Sequence, residues 1–176
     1  MINYFEFEKD IEKIDKFIFD LDKNDNKYLS KLDKLNFEKK KKFDKIYSNL
    51  EPWQKVQVSR HNDRPHAIFY IKSIFEDLVF LHGDKKYADD NAIIGGLAKI
   101  NNQSIVFIGT EKGNTMETRI KHNFGMAKPE GYRKSQRLVS LAEKFNLPII
   151  SFVDTAGAFP GKDAEERGQS ESIASS

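Results

Sequence analysis

Apolar residues recur at helical spacing near the start of the chain. Ile11, Ile14, Phe17, Ile18 and Leu21 form one stripe, and Leu29, Leu32, Phe43, Ile46, Tyr47 and Leu50 follow a similar spacing later. The pattern predicts two amphipathic helices joined by a connector at Asp22 to Asn26, a helical hairpin docking an apolar face on the rest of the protein or on a partner. Further along, the period changes. Ala92 to Ile100 and Ser104 to Thr110 are β-rich apolar runs separated by the polar Asn101-Asn102-Gln103, which suits a β-hairpin. Glu130 to Asn146 returns to helical spacing through Leu138, Leu141, Ala142 and Phe145, with Pro129 placed to open the helix and Pro148 to stop its continuation. Ile149 to Val153 is short, mostly apolar and β-branched, the pattern of a strand covered on both faces in a parallel sheet. It runs into the glycine-bearing stretch Asp154 to Gly161, after which Asp163 is placed to cap a last helix from about Ala164. Strand, helix, strand, glycine loop, helix is the order of α/β crossover units, whose chemistry gathers in the loops after the carboxyl ends of strands.

Composition sharpens the division. All five prolines and all ten glycines of the 176 residues lie at or beyond Pro52. The first 50 residues hold 12 Lys against 11 Asp or Glu and no Arg. The chain therefore reads as amino-terminal helices over 1–50 and an α/β domain over 51–176. The formal net charge of +2 gives no bulk field to recruit nucleic acid, and the run Lys39-Lys40-Lys41-Lys42, flanked by Glu38 and Asp44, reads as a solvated helix face. No apolar run approaches the roughly 18 to 20 residues of a bilayer span. The start, Met1 to Glu6, lacks a basic patch followed by an apolar stretch, so a cytoplasmic chain with no membrane contact is expected. Zero cysteines remove disulfide scaffolds, thiolate nucleophiles and cysteine-ligated zinc, and no metal is expected in this chain.

Among segments that could carry chemistry, the loop from Asp154 to Gly161 stands first. Gly157 and Gly161 permit positive φ and close ligand approach at the end of a strand, where free amides could hold an oxyanion or phosphate; a plain strand-to-helix connection needing glycine for its turn accounts for them equally. Asp154-Thr155-Ala156-Gly157 also matches the DxxG element of GTPases, but Gly109-Thr110-Glu111-Lys112-Gly113 supplies no upstream phosphate loop. Gly95-Gly96 marks either a close backbone approach or a bulge. Lys112, Arg119, Lys121, His122, Lys128, Arg133, Lys134 and Arg137 concentrate basic charge that would suit a small anionic cofactor. His61, His66, His82 and His122 show no metal-ligand spacing, and no GxSxG elbow anchors a hydrolase triad. A chain without an evident acid, base or nucleophile would work through backbone amides and a cofactor.

From Pro52 to Ala174 the residues resemble the α subunit of bacterial acetyl-CoA carboxylase carboxyltransferase. The likeness is carried by Pro52-Trp53-Gln54-Lys55-Val56-Gln57, His82-Gly83-Asp84, Tyr87-Ala88-Asp89-Asp90, Ile94-Gly95-Gly96, Asn123-Phe124-Gly125-Met126, Pro129-Glu130-Gly131-Tyr132-Arg133-Lys134, and the run from Asp154-Thr155 through Gly157-Ala158-Phe159-Pro160-Gly161 to Glu165-Glu166-Arg167-Gly168-Gln169-Ser170-Glu171. The resemblance implies a crotonase-like (ClpP/crotonase) α/β domain, incomplete at the carboxyl end because family members run well past the position of Ser176, preceded by the helical hairpin. It implies transfer of a carboxyl group from carboxybiotin on a carrier protein to acetyl-CoA, giving malonyl-CoA for fatty-acid biosynthesis. Partners implied are a carboxyltransferase β subunit, the biotin carboxyl carrier protein and, in the wider complex, biotin carboxylase; any zinc belongs to the β subunit. The implied site residues are the amides of Gly157 and Ala158, a biotin-pocket wall of Phe159, Pro160 and Gly161, and Lys112, Arg133 and Lys134 for anion contact. Ala156 stands where the family usually has proline. The competing expectation is a non-catalytic subunit acting only as an interaction fragment.

Overall fold

The computed structural model describes residues 3–176; Met1 and Ile2, at the head of the segment read above for a targeting signal, lie outside the described residues. The chain forms two units, Met1–His61 and Asn62–Ser176. The first is helical: α1 (Lys9–Phe19), α2 (Tyr28–Tyr47) and α3 (Pro52–Ser59), the last opened by Pro52 at its first turn. α1 and α2 are tied by polar contacts that long surface side chains make across a helix pair. The Asp15 carboxylate of α1 accepts from Lys39 Nζ of α2 at 2.5 Å and from Tyr4 Oη, ahead of α1, at 2.6 Å, and Tyr47 Oη of α2 donates to Glu8, the residue before α1. Of the expected stripe, Ile11 and Ile14 are buried, whereas Phe17, Leu29 and Phe43 are exposed. Two helices bury only the narrow strip where they face each other, so the wider stripe stays uncovered within this unit.

The second unit is built on a sheet of strand order β1-β2-β3-β4. Its elements are α4 (Ala67–Ile74), β1 (Glu76–Phe80), β2 (Ile93–Ile100), β3 (Gln103–Thr110), α5 (Met116–Lys121), α6 (Pro129–Phe145), β4 (Ile149–Phe152), α7 (Lys162–Glu166) and α8 (Gln169–Ala174). β1, β2 and β3 are antiparallel, and β4 joins β3 in parallel. The β2–β3 hairpin turns on Asn101 and Asn102 alone, with Ile100 opposite Gln103. Both asparagines have positive φ, 49° and 63°, the geometry of a tight turn that follows strand twist, and Asn tolerates it better than other residues with a Cβ.

Side-chain alternation along β3 places its residues in two different cores. Ile105 and Phe107 pack with Ala67, Ile71 and Phe75 on the face covered by α4. Val106 packs with Leu138 and Ala142 on the face covered by α6. Thus β3, not Ile149–Val153, is the strand covered on both faces. β4 is an outer strand of the sheet, with Ile149 41% exposed and Val153, just past its end, 80% exposed, because no described strand lies beyond it. The asparagine after α6, Asn146, is left-handed at φ 51° and turns the chain into β4.

Two further expectations are corrected. The last helix is two short ones, α7 and α8, separated at left-handed Gly168. Gly161 rather than Asp163 holds the N-cap position of α7, since the helix begins at Lys162 and Asp163 already lies inside its first turn. Gly95 and Gly96 are sites of close approach within the sheet: a Cβ on Gly96 would stand 1.9 Å from the Val79 carbonyl oxygen, and one on Gly95 2.4 Å from Leu138 Cδ1. They serve packing of β1 and α6 on β2.

Candidate functional site

Parallel pairing of β3 and β4 brings the loops that leave their carboxyl ends side by side. Thr110, the last residue of β3, ties them directly: its Oγ1 accepts from the Asp154 amide at 2.5 Å and donates to the Phe152 carbonyl at 3.3 Å. Beyond it, Lys112 Nζ reaches Asp154 Oδ1 at 2.5 Å. Glu111, 3% exposed, shapes the β3 loop from inside: Oε1 accepts from the amides of Lys112 (3.1 Å) and Gly113 (2.9 Å) and lies 3.3 Å from His66 Nδ1, and Oε2 accepts from the Ile68 amide at 3.0 Å.

The glycine loop itself is pinned at both ends. Thr155 Oγ1 donates to the Gly125 carbonyl at 2.9 Å and accepts from the Gly157 amide at 3.1 Å. At the other end the Phe159 amide donates to the Ala127 carbonyl at 3.0 Å, and Ala127 and Ala158 form an isolated parallel bridge. Gly157 has φ 152°, a conformation that side chains disfavour, and a Cβ there would meet nothing within 4 Å. Gly161, by contrast, has φ −86°; what requires glycine there is the Phe159 ring, 2.3 Å from where a Cβ would sit. Of the two amides expected to stabilise an oxyanion, Gly157's is taken by Thr155, while Ala158's has no partner among the described residues. The Phe159 ring carries Lys128 Nζ at 4.8 Å from its centroid.

The basic residues separate into two groups. Lys112 lies at the loop pair, with its charge directed to Asp154. Arg133 and Lys134 lie elsewhere, on α6, with their side chains paired inside the fold. Arg133 Nε donates to Asp84 Oδ2 at 2.9 Å and its Nη1 to the Arg167 carbonyl and Ser172 Oγ, both at 3.1 Å. Lys134, 2% exposed, donates to Asp89 Oδ1 at 2.5 Å and to the Asp90 carbonyl at 2.7 Å. Burial works against the charge on Asp84, yet the amides of Tyr87, Lys86 and Ala88 and the Arg133 guanidinium outweigh it and hold the carboxyl down at about 2. Asp90 goes the other way: burial pushes its carboxyl up despite amide bonds from Ala92 and Lys128. Sequence reasoning missed Glu111, Asp90, Thr155 and Gln169 as shaping residues; Glu111 and Thr155 lie in segments singled out for their glycines, whereas Asp90 and Gln169 stood only in blocks that carry the family resemblance.

No helix among the described residues is long and apolar enough to cross a membrane, and no group of three or more His, Asp or Glu among them could hold a metal ion.

A sheet covered by helices on both faces, with a glycine loop and a bridged loop pair at the carboxyl ends of its parallel strands, makes the second unit an α/β domain. The fold resembles the structure titled "Structure and function of a single-chain, multi-domain long-chain acyl-coa carboxylase", with a TM-score of 0.50 and 23% identity over 67% of this chain and 12% of that one. Residues 4–176 match the family described as "Acetyl co-enzyme A carboxylase carboxyltransferase-like", and the chain belongs to that family. It is 49% identical to the acetyl-coenzyme A carboxylase carboxyl transferase subunit alpha of Pelagibacter ubique, over 100% of this chain and 50% of that protein. Identity is also 49% with the subunit of the same name from Zymomonas mobilis, over 100% of this chain and 57% of that protein. With its counterpart in Francisella philomiragia it is 50%, over 98% of this chain and 56% of that protein. The chain thus spans about half the length of the curated relatives it matches.

Proposed function

We propose that this chain acts as the α subunit of an acetyl-CoA carboxylase carboxyltransferase, taking part in carboxyl transfer from carboxybiotin on a carrier protein to acetyl-CoA to give malonyl-CoA for fatty-acid synthesis. The observation that carries the proposal is 49% identity across the whole chain to a subunit of that name. Its partners under this reading are a carboxyltransferase β subunit, a biotin carboxyl carrier protein and biotin carboxylase, and its place of action is the cytoplasm.

The residues at the glycine loop fit a small bicyclic ligand. Gly157 faces open space, Ala158 adds only a methyl group, and Phe159 and Pro160 offer apolar surface beside an amide, that of Ala158, free to donate. Carboxybiotin supplies the activated carboxyl group. The chain's part is to hold that ligand: Phe159 and Pro160 cover its apolar side, the Gly157 backbone permits close approach, and the Ala158 amide donates to a carbonyl or ureido oxygen on which negative charge develops. Lys112 enters through Asp154, keeping the two loops together.

The test is malonyl-CoA-dependent carboxylation of biocytin, the biotin–lysine conjugate, by this chain mixed with a carboxyltransferase β subunit. Turnover is expected only with both polypeptides present. A folded, co-purifying complex without turnover would overturn the catalytic role and leave the interaction-fragment reading.

A further inference from the structure

Gln169 is 2% exposed and lies where the glycine loop, the strand-like segment at Ala127 and the start of α8 meet. Its Nε2 donates to the Ala127 carbonyl at 2.9 Å and to the Phe159 carbonyl at 3.4 Å. The Ala127 carbonyl also accepts from the Phe159 amide at 3.0 Å, so both polar backbone atoms of Phe159 are held around one neighbouring residue. Gln169 Oε1 is buried without a hydrogen-bond partner among the described residues. An unmatched buried acceptor is a cost that an apolar side chain of the same shape would avoid, so what Gln169 contributes comes through its amide donors. Left-handed Gly168, φ 81°, makes the placement possible by ending α7 and reorienting the chain so that Gln169 enters α8 facing inward.

We infer that Gln169 is a positioning residue for the ligand-facing wall Gly157–Gly161. Thr155 anchors the loop's first end through Gly125, and Gln169 anchors its second end through Phe159. Between the two anchors lie Gly157 and Ala158, the residues that must stay accessible while holding a fixed position. A ligand held by one amide and one aromatic face needs both at a set separation, and the clamp sets it by fixing the Phe159 backbone against Ala127. The clamp itself is read from geometry alone; its use in holding biotin rests on the carboxyltransferase reading.

The experiment compares the full chain with Gln169→Met, which keeps shape and removes the donors, and with Gln169→Ala. Hydrogen exchange is followed on the chain alone. Turnover is followed with the β subunit, using biocytin and malonyl-CoA. The Phe159 amide should exchange about tenfold faster in Gln169→Met while Phe107 in β3 and Leu138 in α6 change less than about twofold. KM for biocytin should rise about tenfold with KM for malonyl-CoA within about twofold of the parent. Unchanged exchange at Phe159 overturns the clamp. General loss of protection in both variants also overturns it, since Gln169 would then hold the whole core. Faster exchange at Phe159 with an unaltered KM for biocytin overturns the link to the ligand. If the parent complex does not turn over while Phe159 exchange still rises in the variant, the carboxyltransferase reading falls and the clamp stands.

Discussion

Lys112 Nζ and Asp154 Oδ1 stand 2.5 Å apart and join the loops leaving two neighbouring parallel strands. Lys112 is about a quarter exposed and Asp154 a third, so water screens the pair and it contributes modestly to stability. Lys112→Met should lower stability by about 0.5–1 kcal/mol in urea unfolding. It should raise KM for biocytin more than KM for malonyl-CoA, because it frees the start of the glycine loop. Equal changes in both constants would place the pair's effect in the fold as a whole.

Glycines in this chain differ in what a side chain would cost. Gly96→Ala drives a methyl group to within 1.9 Å of the Val79 carbonyl oxygen, a backbone atom that cannot turn aside. Urea unfolding should show a loss of about 3 kcal/mol. Gly157→Ala meets open space, so its cost is backbone strain alone, about 1–2 kcal/mol. If the loop holds the ligand, the added methyl should reduce turnover by far more than it reduces stability.

Acid should weaken the second unit through Asp84 and Asp89. Burial opposes the charge on each. At Asp84, amides and Arg133 prevail; at Asp89, Lys134, the Gly83 amide and His82 do, and both carboxyls are held at about 2 against an ordinary 3.8. A depressed folded-state value stabilises the native form above the ordinary value, and that stabilisation is lost as pH falls from about 4 through about 2. Asp90, pushed up by burial, acts in the opposite sense and offsets part of the loss. Asp84→Asn should lower stability at neutral pH by about 2 kcal/mol and flatten the acid limb of a stability–pH curve; an unaltered limb would assign the acid response to other groups.

Glu130 is 2% exposed and faces two guanidinium groups: Arg167 Nε donates to its Oε1 at 2.6 Å and Arg133 Nη2 at 3.4 Å. Glu130→Ala should cost about 3 kcal/mol by leaving those cations short of a partner. In a double-mutant cycle, adding Arg167→Ala should cost less than the sum of the single changes.

Elements fixed by local chemistry were legible in the sequence. Asn101-Asn102 between two β-rich runs announced the hairpin, although Gln103 proved to belong to β3. Pro129 announced the start of α6, its first residue. The exposure of β4 was not legible, because a short apolar run looks the same in a sheet's centre and at its edge. At the site, Gly157 advertised a special backbone, but the side chains that hold the loop did not advertise themselves. Gln169 acts on a carbonyl 42 residues away and Glu111 on an amide 43 residues away, distances over which spacing carries no signal. The charges of Arg133 and Lys134 were visible, whereas their consumption by Asp84 and Asp89 depended on the fold.

The two-asparagine turn and the parallel partner of β3 also set an order of assembly. β2 and β3 meet across a two-residue turn and can zip within microseconds, whereas β4 reaches β3 only after α6 has bridged the gap and a far larger closure entropy has been met. Pulse labelling during refolding should therefore protect Ala98 and Phe107, whose register places them in hydrogen-bonded pairs of the hairpin, before Val106, whose amide donates to the Pro148 carbonyl just ahead of β4. The loop that follows β4 would then be the last part of the second unit to acquire its shape, after the scaffold that receives it is already standing.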